Sequence, residues 1–182
     1  MTVRVLHTAR TTSRLLTVAD APKLLAYRLE NREHLSPWEP ARDASFYTPL
    51  GCRTSIVQWT EVARNNLAWP FMIFDAGETE IIGSFTFANI VRGVFQATHL
   101  GYGIGARFQG QGFMAEALRE GVGFAFEDLG LHRIMANYMP RNERSGRLLA
   151  SLGFVREGFA ARYLKIGGIW EDHVLTSLVA PG

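Results

Sequence analysis

The sequence predicts an α+β protein built on one mixed, mostly antiparallel, twisted sheet of about seven strands, flanked by about four helices. Three observations carry this. Runs with helical spacing of apolar residues and runs with alternating spacing are partly segregated along the chain, which argues against a doubly wound parallel sheet. Asp75-Ala76-Gly77-Glu78 joins two strand-like runs as a hairpin turn. Gly167-Gly168 joins two more at the C-terminal end.

The elements follow in order. Leu15 to Val18 is a short apolar run that reads as a first strand. Asp20 is placed to cap a helix with Pro22 in its first turn and Leu24, Leu25 and Leu29 on one face. Ser36-Pro37-Trp38-Glu39-Pro40 then breaks the chain. A second helix is expected from about Gly51 to Asn66, with Ile56, Trp59 and Val62–Ala63 at helical spacing. Trp69 to Phe74, Glu80 to Asn89 and Phe95 to Ile104 read as three strands. Phe113 to Leu129 reads as a helix ended by Gly130; Gly121 and Gly123 inside it each cost up to about 1 kcal/mol against alanine, so close packing is expected at both. His132 to Met139 is a buried strand, Asn142 caps a short helix to Leu152, and Phe154 to Lys165 and Ile169 to Val179 close the chain as strands.

Length and composition set the class. The 182 residues suffice for one domain with its own core, expected to span 1–182, and 47% hydrophobic with 20% charged residues is ordinary for a soluble protein. A net charge of +2 does not point to DNA binding. Cys52 is the only cysteine, so no intramolecular disulfide is possible and a reducing compartment fits. Met1 to Arg10 lacks a signal-peptide core, and no stretch approaches the roughly 18–20 apolar residues of a membrane helix. A cytoplasmic protein without membrane contact is expected.

The chemistry concentrates in Arg107-Phe108-Gln109-Gly110-Gln111-Gly112. A strand runs into a glycine turn that opens a helix, whose first N–H groups lack intrahelical acceptors and favour an anion. Gly110 and Gly112 let a phosphate approach the backbone, and Arg107 adds a cation. Gly110 to Ala115 fits a dinucleotide fingerprint, but the next strand ends in Tyr138-Met139-Pro140 without the acid that a ribose needs. The lysine-bearing nucleotide-triphosphate loop is absent.

Arg107, Gly110 and Gly112 instead resemble motif A of the GNAT superfamily of acetyl-CoA-dependent N-acetyltransferases, and the order of elements is similar throughout. His34 to Pro40, Met135 to Gly146 and Tyr163 to Val174 look like its RimJ/RimL branch, most of all the RimJ-type enzymes that acetylate the N-terminal alanine of a small-subunit ribosomal protein. The resemblance implies the GNAT fold, acetyl-CoA as co-substrate, no metal, and a protein N-terminus as acceptor. Acetylation of a small amine such as an antibiotic or polyamine, or a ribosome-assembly role on the same fold, are the alternatives. It also implies site residues. Leu100 to Ala106, including Ile104 and Gly105, would lie along the pantetheine arm, and the amides of Gln109, Gly110, Gln111, Gly112, Phe113 and Met114 along the pyrophosphate. Asn137 and Asn142 match cofactor-side positions, and Ser145 the position that protonates the leaving thiolate. A glutamate used by RimL-type enzymes aligns with Leu164, beside Tyr163 and Lys165, so the general base is open; Glu39, Asp172, Tyr163 and a water on Asn137 are candidates.

Other readings of these residues are structural. Asn142 serves as a helix cap, Ser145 as an ordinary helix-terminus residue, and Arg141, Arg144 and Arg147 as a solvated face or as partners for a 3′-phosphate or an acidic peptide. His99, His132 and His173 show no metal-ligand spacing. Trp59, Trp69 and Trp170 are expected in the core, whereas Trp38 sits in a proline-bounded loop where an acceptor enters this fold.

Overall fold

The computed structural model describes residues 4–181. Eight strands form one sheet: β1 (Val5–His7), β2 (Thr11–Arg14), β3 (Trp69–Asp75), β4 (Ile81–Val91), β5 (Ala97–Ile104), β6 (Arg133–Tyr138), β7 (Val155–Ile166) and β8 (Ile169–Val179). Their order is β1-β2-β3-β4-β5-β6-β8-β7. All neighbours are antiparallel except β5 and β6. Five helices accompany them: α1 (Ala21–Glu30), α2 (Arg32–Leu35), α3 (Pro49–Arg64), α4 (Phe113–Gly123) and α5 (Glu143–Ser151).

Strand β3 explains why the helices lie on both faces. Its side chains alternate, and it is buried on both sides. Phe71 and Ile73 join Phe85, Phe87, Met114, Ala117, Leu118 and Leu149, so α4 and α5 cover one face. Met72 and Phe74 join Leu24, Cys52 and Ile56, so α1 and α3 cover the other.

The expected mixed sheet is present, with four differences in its parts. Leu15 to Val18 is not a strand; β1 and β2 precede it. The ladder stops after Arg14 because its guanidinium donates to the Leu15 carbonyl (3.1 Å) and the Thr17 N–H donates to the Asp20 carboxylate (2.8 Å). Those bonds bend the chain into a 3-10 turn over Val18–Asp20. Asp20 therefore does not cap α1 with its side chain; it binds Thr17 and takes both ends of the Arg14 fork at 2.9 Å. The third difference is in α4, which widens into a π-helical turn at Phe124–Asp128 and so does not run as one α-helix to Leu129. The wide turn seats the Phe124 ring 5.1 Å from Trp69 and 5.2 Å from Phe71. Fourth, Trp170 is exposed, out on the β7–β8 hairpin.

The two helix glycines part company. A Cβ on Gly121 would lie 2.8 Å from Cε2 of Phe85, the close approach that the sequence suggested. One on Gly123 would meet nothing within 4 Å. Helix α3 starts at Pro49, two residues before the expected Gly51, because the Thr48 hydroxyl accepts the Gly51 N–H at 3.0 Å. Among the described residues, no helix is long and apolar enough to cross a membrane.

Candidate active site

The site begins where the sheet opens. Strands β5 and β6 pair only over Ala97–His99 and Arg133–Met135. Beyond His99, β5 stays on β4 as far as Ile104, while β6 stays on β8. The two strands splay, and a cleft of about 990 Å³ lies along the gap. Its lining draws on β5 (Tyr102 to Ile104), the glycine turn and the first residues of α4, the segment 141–148 around the start of α5, and the α2 end with Trp38 and Glu39.

The glycine turn has the geometry expected for an anion. Gly110 and Gly112 have φ of +71° and +83°, a region that favours glycine. A Cβ on Gly110 would meet nothing within 4 Å, so the turn's open side faces free space. Gly112 is the N-cap of α4 and offers no capping side chain to the N–H groups behind it. Arg10 braces the turn from outside: it binds Glu116 at 2.7 Å, donates to the Gln111 carbonyl at 3.1 Å and stacks on Phe113. From the other side Arg144 donates to Gln109 Oε1 at 2.6 Å, which ties the turn to α5.

Helix α5 delivers the hydroxyl. Asn142 is its cap, accepting the Ser145 N–H at 3.2 Å. One turn along, Gly146 lies against the Tyr138 ring on β6, so close that a Cβ there would be 2.8 Å from the ring. That approach lets Ser145 Oγ reach the Tyr102 hydroxyl at 2.6 Å. Burial pushes the Tyr102 phenol up to about 12, opposed by its bond to Ser145.

Trp38 and Glu39 also line the cleft, with Arg141 over the Trp38 ring and bound to Glu171 at 2.7 Å. Glu39 also lines a second, smaller depression with Arg32, Arg42 and Tyr47. Burial raises the Glu39 carboxyl above the usual range, against the pull of Arg42 (3.7 Å) and Arg28.

Several residues singled out in the sequence lie off the lining. The Arg107 guanidinium bridges Glu30 and Glu80 at 2.5 and 2.7 Å. Gln111 donates its amide to the Arg107 carbonyl at 2.7 Å, and the Gly105 N–H is spent on the Ile82 carbonyl at 2.8 Å. Asn137 and Tyr163 meet each other at 3.4 Å, and Asn137 also accepts the Thr176 N–H. Asp172 accepts the Arg162 N–H at 2.8 Å, where Arg162 has φ of +50° and the β7–β8 register shifts. In the cleft, by contrast, are Ile104, Gln109, Gly110, Gly112, Phe113, Met114, Asn142, Ser145 and Glu39, with Arg144 and Arg147.

Tyr102 and His34 are among the lining residues to which the sequence assigns no individual role. Tyr102 sits in the strand expected along the pantetheine arm. His34 donates from Nε2 to the Ile104 carbonyl at 3.2 Å and so pins α2 to the splayed strand. Among the described residues, no group of three or more His, Cys, Asp or Glu gathers around a common point.

Comparison with known proteins agrees with this geometry. Residues 10–155 match the family described as Acetyltransferase (GNAT) domain. The chain is 48% identical to the [Ribosomal protein uS5]-alanine N-acetyltransferase of Escherichia coli (strain K12), over 97% of this chain and 91% of that protein. The crystal structure of the ribosomal-protein-S5-alanine acetyltransferase from Vibrio fischeri superposes with a TM-score of 0.91 at 43% identity, covering 97% of this chain and 96% of the other. RimJ of Mycobacterium smegmatis, in complex with CoA-disulfide, superposes with a TM-score of 0.89 at 30% identity, covering 98% and 87%. The chain therefore belongs to the GNAT superfamily, in its RimJ/RimL branch, and is an acetyl-CoA-dependent N-acetyltransferase.

Proposed function

We propose that this enzyme acetylates a protein N-terminal amine, and that its acceptor is the N-terminal alanine of a small-subunit ribosomal protein. The observation that carries this is the single cleft lined both by the glycine turn and Ser145 and by Trp38 and Glu39. The relatives named for uS5-alanine acetylation, similar over nearly the whole chain, support the same acceptor.

The residues present fit acetyl-CoA. Open space over Gly110, positive φ at Gly110 and Gly112, and the uncapped start of α4 suit a pyrophosphate held on the amides of Gly110 to Met114; the Gln109 N–H is already bonded to the Ala106 carbonyl. The splayed edge of β5 up to Ile104, which lines the cleft, suits the pantetheine arm. Asn142 has its side-chain oxygen on Ser145 N, which leaves its NH₂ for a carbonyl of that arm. Arg144 and Arg147 supply positive charge beside the turn. Acetyl-CoA brings the thioester; the chain's own groups orient it and handle protons.

On the acceptor side, Glu39 receives the α-amine. An α-amino group has a pKa of about 8, so a useful neutral fraction exists at pH 7 and a weak base suffices. Glu39 is the base or ammonium partner best placed in the cleft, whereas Asp172 is occupied by a backbone N–H and the Asn137–Tyr163 pair stands off the lining. The leaving sulfur is met by Ser145.

A mass-spectrometric assay decides the acceptor. Peptides beginning with Ala or Ser are compared with polyamines and aminoglycosides, with acetyl-CoA as donor. Ala-initiated peptides are expected to react best. Turnover of polyamines or aminoglycosides without turnover of any α-amino peptide overturns the proposal.

A further inference from the structure

We propose that Tyr102 and Ser145 form a two-hydroxyl relay that protonates the leaving thiolate, with the Tyr102 phenol as the source of the proton. This rests on the acetyltransferase reading and adds a second proton-carrying residue to it. Both residues line the cleft, and their oxygens are 2.6 Å apart, at the short end for O–H···O. The pair is held from three sides. Asn142 fixes the Ser145 backbone, Gly146 seats α5 on the Tyr138 ring, and Tyr102 stands on β5 where β6 has already diverged.

A lone serine is a poor acid toward a thiolate. A thiol has a pKa of about 8.5 and the buried Tyr102 phenol about 12, so the transfer runs uphill and the phenolate is short-lived, but a serine that gives up its proton unaided leaves a far more basic alkoxide. With Tyr102 donating to its oxygen, Ser145 gives one proton and takes another in the same step. The balance is as follows. The carbonyl carbon–sulfur bond breaks and sulfur takes the bonding pair. Sulfur then takes the Ser145 Oγ proton, Oγ takes the Tyr102 proton, and a transient phenolate remains. The newly acylated nitrogen loses its extra proton to solvent, and solvent returns one to the phenolate. Net transfer is nitrogen to sulfur, and no oxidant or metal takes part. The buried phenol, with its pKa near 12, stays protonated between turnovers.

The competing role is positional, with Tyr102 merely holding the Ser145 rotamer. Tyr102→Phe keeps the ring and deletes the relay proton. With acetyl-CoA, kcat should fall about tenfold or more while KM for acetyl-CoA stays within about twofold. With an acetyl thioester of a more acidic thiol, such as an aryl-thiol analogue of CoA, the loss should shrink to under about threefold, because that sulfur leaves unprotonated. Tyr102→Phe/Ser145→Ala should be no slower than Ser145→Ala alone. Equal losses with both donors, independent multiplying losses in the double variant, or an unchanged kcat in Tyr102→Phe each overturn the relay alone. A wild-type enzyme that acetylates no amine overturns the acetyltransferase reading and the relay with it.

Discussion

Gly146 of α5 and Tyr138 of β6 are in such close contact that a Cβ on the glycine would lie 2.8 Å from Cζ and 2.9 Å from the phenolic oxygen. This contact sets the height of α5 above the sheet, one residue after Ser145. Alanine is a better helix former than glycine by about 1 kcal/mol, so Gly146→Ala would stabilise a helix that had room for it. Here either the ring swings away or α5 lifts by some tenths of an ångström. The expected outcome is a melting temperature close to wild type with kcat lowered about tenfold, since sub-ångström misplacement of a proton donor is costly. Steady-state kinetics beside a thermal melt checks it; wild-type kcat would show that the ring yields and the helix stays.

Ser145→Ala tests the donor itself. Its hydroxyl lies in the cleft beside the Tyr102 hydroxyl and takes no part in the α5 cap, which uses its N–H. The variant should fold normally and bind acetyl-CoA with a KM within about twofold of wild type, while kcat falls about 10- to 100-fold. An unchanged kcat would remove Ser145 from the chemistry.

Much of this site was legible in the sequence, and the reason is locality. The glycine turn and the Asn142–Ser145 segment are short continuous stretches whose geometry follows from caps, glycines and helix starts. Tyr102 was not legible, because its partner is 43 residues away and the contact depends on β5 and β6 parting after His99. Pairing between parallel strands leaves no turn signal to read. The first two strands escaped for another reason. Thr11, Thr12 and Ser13 are buried but polar, so β2 shows no apolar alternation, while the apolar Leu15 and Leu16 lie in the bend after it. Arg107 shows the converse. Its place in the motif was plain, but Glu30 and Glu80, which hold its guanidinium, come from distant elements.

Glu39→Gln separates acceptor from donor. Glu39 lines the cleft but makes no hydrogen bond to the glycine turn, so the variant should raise KM for the acceptor peptide about tenfold and leave KM for acetyl-CoA within about twofold. The pH dependence gives the sign. Burial raises the Glu39 carboxyl, so it takes up a proton at a higher pH than an exposed glutamate. The ammonium-binding carboxylate is present above that pKa and lost as pH falls through it. Wild-type acceptor KM should therefore rise on acidification from neutral pH, and that of Glu39→Gln should not follow. Parallel profiles for the two enzymes would place the ammonium elsewhere.

The Arg14–Asp20 pair makes a stability prediction independent of activity. Burial works to raise the Asp20 carboxyl, but the Arg14 fork and the Thr17 N–H and hydroxyl outweigh it and hold it at about 2, below its ordinary 3.8. A folded-state pKa below the unfolded one stabilises the protein above the unfolded value, and that stability drains away as pH falls toward the folded value. After discounting for solvent screening, the contribution at pH 7 is about 1 to 2 kcal/mol. Asp20→Asn should lose this much in denaturant melts at neutral pH. The gap to wild type should close between about pH 5 and pH 2, because protonated Asp20 is then as neutral as asparagine. A gap that persists unchanged at pH 2 would mean that the bend after β2 depends on the shape of the side chain and not on its charge.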